Sequence, residues 1–328
     1  MATIKDVAER AGVSLGTASR VLSGSSQTSP DSRARVFAAA GELNYVAHGP
    51  ARALRRARTE VLGLLVSDIR NPFFSQLAHA AEREAMKRGY TVILANANED
   101  ASQADEYLRI FASQRIAGLL LAPQGPVSPQ LTSLLASGLP VVLLNRSIEG
   151  VDAPLYATDN AQGVGLVLDW LQSRGHRDVA FIGGPPTIST GAERQEAYLA
   201  GRESHGISTD DSLIETGDFL EEGAAAAMIR LLDRGTRPSA VFGANGPTTL
   251  GAVRGMRQRL GAAEASRIEV VSFDDLDWFE FATPAISAVK HDGAEIGRLG
   301  AHGLLDLIAG KDAFSQRITT TFVDRANI

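Results

Sequence analysis

The sequence predicts an α/β protein with an all-α head at its N-terminus and a body of two doubly wound α/β lobes. Its 328 residues are enough for two or three domains. The first 58 residues contain no run that is typical of a strand, whereas short apolar runs alternate with amphipathic stretches from Val61 onward. Hydrophobic residues make up 44% of the chain, so a large core can be buried.

The head carries a charge opposite to that of the body. Residues 1–58 contain nine Lys or Arg and four Asp or Glu, a net charge of +5, and the remaining 270 residues have a net charge of −11. A small basic module on a large acidic body is typical of a protein that binds a polyanion through one of its parts. Chance clustering is the alternative that charge alone leaves open.

Composition excludes several classes of protein. The chain has no cysteine, which excludes a disulfide scaffold, a thiolate zinc site, an iron–sulfur cluster and a cysteine nucleophile. No apolar run approaches the length of about 18 residues that a membrane-spanning helix needs. The polar segment Met1–Asp6 is unlike a secretory signal. We therefore expect a cytoplasmic protein without a membrane partner.

The head predicts three short helices, over Ile4–Ala11, Leu15–Ser23 and Pro30–Leu43. Ser14 is suited to cap the second helix, and Pro30 is suited to the first turn of the third. Gly12 follows the first helix and supplies a sharp turn into the second. This order of helix, glycine turn and helix predicts a helix-turn-helix.

The second helix of the head has two different faces. The inward face carries apolar side chains at helical spacing: Ala18, Val21 and Leu22. The other face carries Thr17, Ser19 and Arg20, and short hydroxyls beside an arginine suit contacts with phosphates and bases. A generic three-helix bundle needs neither the Gly-Val-Ser turn nor this polar face, so DNA binding is favoured over it.

The body predicts βαβ units. Continuous apolar runs of this length are typical of strands buried on both faces. The runs are Val61–Val66, Thr91–Asn96, Gly118–Pro123, Pro140–Asn145, Val179–Gly184, Ala240–Asn245 and Glu269–Asp275. Helical stretches between them include Phe74–Arg88, Ser102–Ser113, Ala161–Arg174 and Gly223–Arg234. At least seven strands exceed one small parallel sheet, so two α/β lobes are expected.

Several different short motifs are distributed along the whole chain. Those in the first 58 residues are Thr3–Leu22, Ser29-Pro30-Asp31-Ser32-Arg33, Leu43-Asn44-Tyr45 and Ala51-Arg52-Ala53-Leu54. Those in the body are Asn71-Pro72-Phe73-Phe74, Ala244-Asn245 and Phe273-Asp274-Asp275. Together they resemble the LacI/GalR (lactose/galactose repressor) family of bacterial transcription regulators. The resemblance implies sequence-specific binding to operator DNA, most often as a repressor and as a homodimer.

The resemblance also implies which residues contact DNA. Leu15, Gly16 and Arg20 occupy the positions that contact bases in the major groove, and Arg20 suits a bidentate contact with guanine. Gly16 departs from the longer polar residue that is usual at its position. The full expected set is Thr3, Ser14, Leu15, Gly16, Thr17, Ser19, Arg20, Arg52, Leu54 and Arg55.

By the same resemblance, Gly49–Arg58 is a hinge that folds into a short helix on the operator and pairs with its dimer mate. Leu54 would enter between base steps of the minor groove, with arginines on the phosphates beside it. Ala47 stands where the family often has Pro. Pro50 stands where Val or Leu is usual, and it removes an apolar contact between hinge helices. A solvated linker is the alternative when DNA is absent.

The body resembles the periplasmic binding protein fold, in which a ligand sits in a cleft at the carboxyl ends of strands. Carboxylates, amides, an arginine fork and aromatic faces are what a polyhydroxyl ligand needs, so a carbohydrate-like effector is expected. By the resemblance, the effector-binding residues are Asn71, Phe73, Phe74, Asn145, Arg146, Thr190, Arg194, Phe219, Asn245, Asp274 and His291.

Three cleft positions depart from the family pattern. Asn145 stands where Asp is common, Gly246 replaces the Asp of the usual Ala-Asn-Asp run, and His291 often corresponds to Gln. Two carboxylates are therefore missing from the cleft or its border. This weakens the expectation that hydroxyl clamping dominates effector binding.

Structural roles remain open for several cleft residues. Phe73 and Phe74 could both belong to the core. Asp274 and Asp275 could cap a loop, and of the two a structural role is favoured for Asp275. Arg194 could pair with a surface glutamate, although the family pattern favours a ligand role.

The expected domains are a DNA-binding domain at 1–48, a hinge at 49–60 and an effector-binding domain at 61–328. Within the latter, the first lobe comprises about 61–158 and 288–318, and the second about 159–287 and 319–328. The tail after Gly310 has no leucine heptads, which favours a dimer over a tetramer.

Two other functions compete with transcription regulation. An enzyme is disfavoured because the six histidines lack metal-ligand spacing and no nucleophile elbow, phosphate loop or dinucleotide fingerprint is present. No cofactor or metal is therefore expected. A solute-uptake protein would need a signal peptide and no basic head. The prediction is a regulator whose effector either releases it from the operator or recruits it.

Overall fold

The structure, a computed structural model, describes residues 2–22, 28–45 and 59–325, which form two compact units that divide between Thr59 and Glu60. The first unit holds three helices: α1 Ile4–Arg10, α2 Leu15–Leu22 and α3 Pro30–Glu42. Their positions confirm the three predicted helices. Small apolar side chains from all three form the core of this unit: Val7, Ala8, Ala11, Ala18, Val21, Val36 and Ala39.

The second unit alternates strands and helices from residue 61 onward. Its first half comprises β1 Val61–Val66, α4 Pro72–Lys87, β2 Thr91–Asn96, α5 Ala101–Gln114, β3 Gly118–Leu121, α6 Pro129–Ala136, β4 Val141–Leu144 and β5 Leu155–Thr158. It continues with α7 Asn160–Ser173, β6 Val179–Gly183, α8 Ser189–Arg202, β7 Ile214–Thr216, α9 Glu221–Asp233, β8 Ala240–Gly243, α10 Gly246–Leu260 and α11 Ala262–Ala265. The last elements are β9 Glu269–Phe273, β10 Ser287–Lys290, α12 Gly293–Ile308, β11 Gln316–Ile318 and β12 Thr321–Val323.

These strands form two six-stranded sheets, one in each lobe. The first sheet has the order β11-β5-β4-β3-β1-β2, and all of its pairs are parallel. The second has the order β12-β10-β9-β8-β6-β7, and only the β10–β12 pair is antiparallel. Two doubly wound lobes, as predicted, are therefore confirmed.

Helices cover both faces of each sheet, which explains the continuous apolar strands. In the first lobe, α4 and α12 pack on one face, and α5 and α6 pack on the other. In the second lobe, α7 and α8 cover one face, and α9 and α10 cover the other. Alternate residues of β1 accordingly enter different cores: Leu64 faces α4 and α12, and Leu65 faces α5.

The chain passes between the two sheets at three places: after Thr158, after Lys290 and after Ile318. The expected boundary at residue 288 was placed too early. β10 runs to Lys290 and pairs with β9 and β12 of the second sheet, so the return to the first lobe follows it. These three crossings lie beside the carboxyl ends of the strands of both sheets.

Within the described ranges, no helix is long and apolar enough to cross a membrane.

Candidate functional site

Most of the predicted major-groove contacts of the head lie at the N-terminus of α2. Gly12 turns the chain there with a φ of +63°. Ser14 caps α2, because its Oγ accepts a hydrogen bond of 3.1 Å from the Thr17 backbone N and shares one of 2.9 Å with Thr17 Oγ1. Leu15 is 52% exposed and is thus an apolar side chain that the head core does not use. The first turn of α2 is the part of a helix-turn-helix that approaches base edges.

The other predicted DNA contacts in the described head lie close to this turn or at the start of α1. Arg20 is exposed, and its Nε donates to Gly16 O at 3.2 Å. Ser19 is half-buried. Thr3 is exposed and forms a capping box with Asp6 at the N-terminus of α1. Arg52, Leu54 and Arg55 of the expected hinge lie outside the described residues.

In the body, the predicted effector residues converge between the carboxyl ends of the two sheets. Asp274 is the centre of this cluster. Its Oδ2 accepts hydrogen bonds from Gly246 N at 2.9 Å and from Asn71 Nδ2 at 3.2 Å. Its Oδ1 lies 2.7 Å from His291 Nε2. Because Asn71 belongs to the first lobe and Asp274 to the second, the two lobes meet directly in this cleft.

His291 lies on the chain crossing that follows β10 and bridges the same two lobes. Its Nδ1 lies 2.9 Å from Thr158 Oγ1 at the end of β5. Its ring stacks on Phe73 with a centroid distance of 4.4 Å and meets the edge of Phe273 at 5.4 Å. Thr158 Oγ1 also donates to Asn145 Oδ1 at 3.5 Å, which brings Asn145 into the network.

Arg146 lies at a second point of contact between the lobes. Its guanidinium carbon is 5.9 Å from the ring centre of Phe74 in the first lobe and 5.4 Å from that of Phe219 in the second. Glu99 holds it with two hydrogen bonds of 2.7 and 2.8 Å. The pair is buried, and Arg146 Nε has no hydrogen-bond partner within the part of the chain that the structure describes.

Arg194 is a buried cation on α8. Its Nε donates to Asn160 Oδ1 at 2.9 Å, its Nη1 donates to Ala244 O, and its guanidinium carbon lies 3.6 Å from the ring centre of Phe273. Burial lowers the pKa of Arg194 to about 10. The expected alternative, a surface glutamate partner, is wrong: no carboxylate of residues 59–325 forms an ion pair with it, and the side chain is buried.

The remaining cleft residues have mixed roles. Asn245 Oδ1 caps α10 by accepting from Thr248 N at 2.7 Å, and its Nδ2 donates to Phe219 O at 3.3 Å. Asn71 Oδ1 likewise caps α4 by accepting from Phe73 N at 3.0 Å. Thr190 is buried one helical turn before Arg194 on α8. Asn71 and Asn245 therefore each cap a helix with Oδ1 and donate a hydrogen bond within the cleft from Nδ2.

The structure also decides two of the structural alternatives. Phe73 and Phe74 are both buried in the core that α4 and α12 share, while their rings contact His291 and Arg146. Asp275 is the structural acid of its pair, since it forms an ion pair of 2.8 Å with Arg325 beyond β12.

Sequence reasoning missed four polar residues of the cleft: Glu99, Gln124, Thr158 and Asn160. Gln124 Oε1 accepts from Arg146 Nη1 at 3.0 Å, and Asn160 supplies the acceptor for Arg194. None of the four lies in a motif, and no spacing rule brings them to the cleft.

The backbone conformation also marks the cleft, and the sequence does not reveal it. Five described residues in or beside the cleft have positive φ without being glycine: Asn98, Glu99, Asn145, Phe219 and Asp274.

The charge of Asp274 is set by its neighbours. Burial alone would raise the pKa of this carboxyl group, but the hydrogen bond with His291 and the charges of His291 and Arg194 outweigh burial. The pKa is consequently lowered below its ordinary value of 3.8. The cleft therefore holds an ionised acid, buried arginines and aromatic faces, a set that suits a ligand rich in hydroxyl groups.

Two family models match this chain. The model described as bacterial regulatory proteins of the lacI family matches residues 3–48, and the model described as periplasmic binding proteins and sugar binding domain of LacI family matches residues 59–323. The chain belongs to the LacI family. The resemblance to this family that the sequence motifs indicated is thus confirmed.

Individual LacI-family proteins are similar along the whole chain. The HTH-type transcriptional repressor PurR of Proteus mirabilis (strain HI4320) is 33% identical over 334 residues, which cover 100% of this chain and 97% of PurR. A complex of the transcriptional regulator CelR with cellobiose has a TM-score of 0.74 and 30% identity, with 100% of both chains covered. The lac repressor dimer bound to operator and the anti-inducer ONPF has a TM-score of 0.80 and 25% identity, with 99% of this chain and 98% of that chain covered.

The family assignment fixes the class of function. This LacI-family protein is a DNA-binding transcription regulator with a helix-turn-helix head and a two-lobed ligand-binding body. Its relatives are transcription regulators and not enzymes, in agreement with the sequence prediction.

Proposed function

We propose that this protein is a cytoplasmic homodimeric repressor whose affinity for its operator is controlled by a sugar or sugar derivative bound between the lobes. The observation that carries this proposal is the polar network centred on Asp274, which joins Asn71 of the first lobe to Gly246 of the second and to His291 on the crossing between them. A ligand that inserts its own hydroxyl groups into this network must change how the lobes meet. Effector and operator then alter each other's affinity by the same factor.

The residue types of the cleft support a carbohydrate-like effector. Asp274 offers an ionised acceptor, and Arg194 offers guanidinium donors that no acid of residues 59–325 occupies. The Phe73 ring and the Phe219 ring supply apolar faces for the C–H side of a sugar ring. The similar structure of CelR is that of its complex with cellobiose. We assign the effector role to the predicted cleft residues, and we add Glu99 and Gln124.

DNA contact is assigned to the α2 surface and the hinge. The proposed major-groove surface consists of seven residues on α2 and at the N-termini of α1 and α2. They are Thr3, Ser14, Leu15, Gly16, Thr17, Ser19 and Arg20. Arg52, Leu54 and Arg55 are proposed to contact the minor groove and phosphates, on the family resemblance alone. The domain bounds 1–48, 49–60 and 61–328 are retained, with the lobe crossing moved to follow Lys290.

Exposed apolar surface on both lobes supports a homodimer. In the second lobe, Phe281 is 78% exposed beside a groove of about 500 Å³ that includes Val253 and Ile286. In the first lobe, the edge strand β2 exposes Ile93 and Leu94. An apolar groove with an exposed aromatic side chain is suited to association, and an open strand edge needs a cover. A second copy supplies both.

A thermal-shift screen tests the effector assignment. The purified protein is heated with pentoses, hexoses, their phosphates, polyols, cellobiose and nucleobases. A ligand at about 100 times its Kd stabilises the native state by about 2.7 kcal/mol, which gives a measurable rise in Tm. We expect a sugar or sugar derivative to raise Tm in the wild type, and Arg194→Lys to abolish the rise. Arg298→Lys, which changes an exposed arginine of α12, is the matched control and should respond normally.

Two outcomes would overturn the assignment. Stabilisation by a nucleobase alone would replace the carbohydrate class. An unchanged sugar response in Arg194→Lys and in Asp274→Asn would place the ligand outside this cleft.

A further inference from the structure

Glu193 and Arg194 are neighbours on α8, and they contact opposite ends of the Asn160 amide group. Asn160 is buried at the start of α7, and its amide group is held at both ends. Its Oδ1 accepts from Arg194 Nε at 2.9 Å, and its Nδ2 donates to Glu193 Oε2 at 2.7 Å. An amide can present its oxygen to only one side. The carboxylate of Glu193 therefore selects the orientation in which the oxygen of Asn160 faces Arg194.

Arg317 connects this arrangement to the other lobe. It lies on β11, which pairs with β5 in the sheet of the first lobe, whereas Glu193 and Asn160 belong to helices of the second. Arg317 donates to both carboxylate oxygens of Glu193 at 2.8 and 2.9 Å. The same guanidinium donates to Thr158 O at 3.1 Å, at the end of β5. Hydrogen bonding to Glu193 raises the pKa of Arg317 above its ordinary value.

Two of the three chain crossings are thus tied to one side chain. Thr158 is the last residue before the first crossing, and Arg317 is one residue before Ile318, the last residue before the third crossing. A bidentate arginine–carboxylate pair has a fixed planar geometry, so a rotation of one lobe against the other cannot leave it unchanged. Such a rotation alters the pair that holds the Glu193 carboxylate, and this carboxylate is the acceptor for Asn160 Nδ2.

We propose that Glu193 is a positioning residue that orients Arg194 through Asn160 and links that orientation to the lobe crossings through Arg317. The consequence for effector binding rests on the proposed function, in which Arg194 contacts the effector. The positioning itself does not, because it is a property of the ligand-free protein.

The test is the rate of hydrogen exchange at Arg194 Nε–H in the full chain labelled with [¹⁵N]arginine. Its NMR signal is assigned by its loss in Arg194→Lys. Glu193→Ala removes both contacts of the carboxylate, so exchange at Arg194 Nε–H should become faster by about fivefold, the effect of losing one ordinary hydrogen bond. Arg317→Ala should act in the same direction although it lies in the other lobe.

Backbone amides of β6 serve as the internal reference. A general loss of stability speeds exchange at β6 and at Arg194 together, whereas loss of positioning speeds only Arg194. Glu295→Ala breaks an ion pair with Arg298 within α12 and is the matched control, which should leave Arg194 unchanged. Glu193→Gln keeps an acceptor for Asn160 but loses the pair with Arg317, so it should behave like Arg317→Ala and replaces Glu193→Ala if that variant does not fold.

Unchanged exchange in Glu193→Ala, or an equal change at β6, would overturn the positioning role. A change in Glu193→Ala with none in Arg317→Ala and Glu193→Gln would overturn the link to the crossings. Since no sugar enters this experiment, a blank thermal-shift screen would contradict the proposed effector without altering this result.

Discussion

Replacing Asp274 by asparagine should destabilise the body by an amount that depends on pH. Asp274→Asn keeps the shape of the side chain and one oxygen for the donors Asn71 and Gly246. It puts an NH₂ group where Oδ1 lies 2.7 Å from His291 Nε2. His291 must then accept at Nε2, and it can still donate from Nδ1 to Thr158 Oγ1. The fold survives, but a charge-assisted hydrogen bond is exchanged for a neutral one.

The expected magnitude follows from that exchange. Hydrogen bonds to charged groups contribute about 1.5–3 kcal/mol and neutral ones about 1 kcal/mol, so the free energy of unfolding should fall by about 0.5–2 kcal/mol near neutral pH. The folded-state pKa of Asp274 is lowered below 3.8. A carboxyl group with a lowered pKa stabilises the fold above its unfolded-state pKa, and this stabilisation is lost as the pH falls through the folded-state pKa. The difference between wild type and variant should therefore shrink as the pH falls below about 4.

Urea unfolding followed by tryptophan fluorescence measures this difference. The two tryptophans of the chain, Trp170 and Trp278, both lie in the second lobe with Asp274. Asp277→Asn changes an exposed acid nearby and is the control, which should match the wild type. Equal unfolding of Asp274→Asn and wild type near neutral pH would refute the reasoning. A difference that stays constant into the acid range would show that ionisation of Asp274 is not its source.

Two further predictions concern the head and the dimer. Gly16→Ala should raise the free energy of unfolding of the head by about 0.5–1 kcal/mol, because a helical glycine is replaced and the added Cβ has only ordinary contacts, with Ser14 and Arg20. Gly41→Ala in α3, where there is open space around the added Cβ, should raise the free energy of unfolding by a similar amount, and calorimetry measures both changes. If Gly16→Ala alone lowers the stability, the first turn of α2 requires glycine at position 16. Phe281→Asp should convert the proposed dimer to monomer at micromolar concentration in sedimentation velocity runs, and a dimer that persists with unchanged affinity would remove this face from the interface.

The seven short apolar runs predicted strands well. Six of them are buried, and burial on both faces leaves a local signal. The edge strand β2 has the same apolar pattern although Ile93 and Leu94 are exposed. Five strands of the described residues escaped prediction, since each has only three or four residues: β5, β7, β10, β11 and β12. β11 also pairs with a strand distant in sequence, because Gln316 lies opposite Tyr156. The cleft divides in the same way. Asn71 and Asp274 stand in recognisable motifs, whereas Glu99 and Asn160 reach the cleft only through the tertiary fold. A left-handed backbone at Glu99 is likewise imposed by its surroundings and has no sequence signal.

The three crossings between the sheets also govern the order in which the protein can be assembled during synthesis. The head folds from one continuous segment and is complete as soon as α3 has left the ribosome. The first lobe begins at Val61, yet it needs α12 against α4 and β11 against β5, and these are among the last segments made. Until they arrive, Leu77 on α4 and Leu120 on β3 lack much of their cover. The lobe nearest the N-terminus therefore cannot close until almost the whole chain has been made, and it spends most of translation with exposed apolar surface that invites chaperones or aggregation.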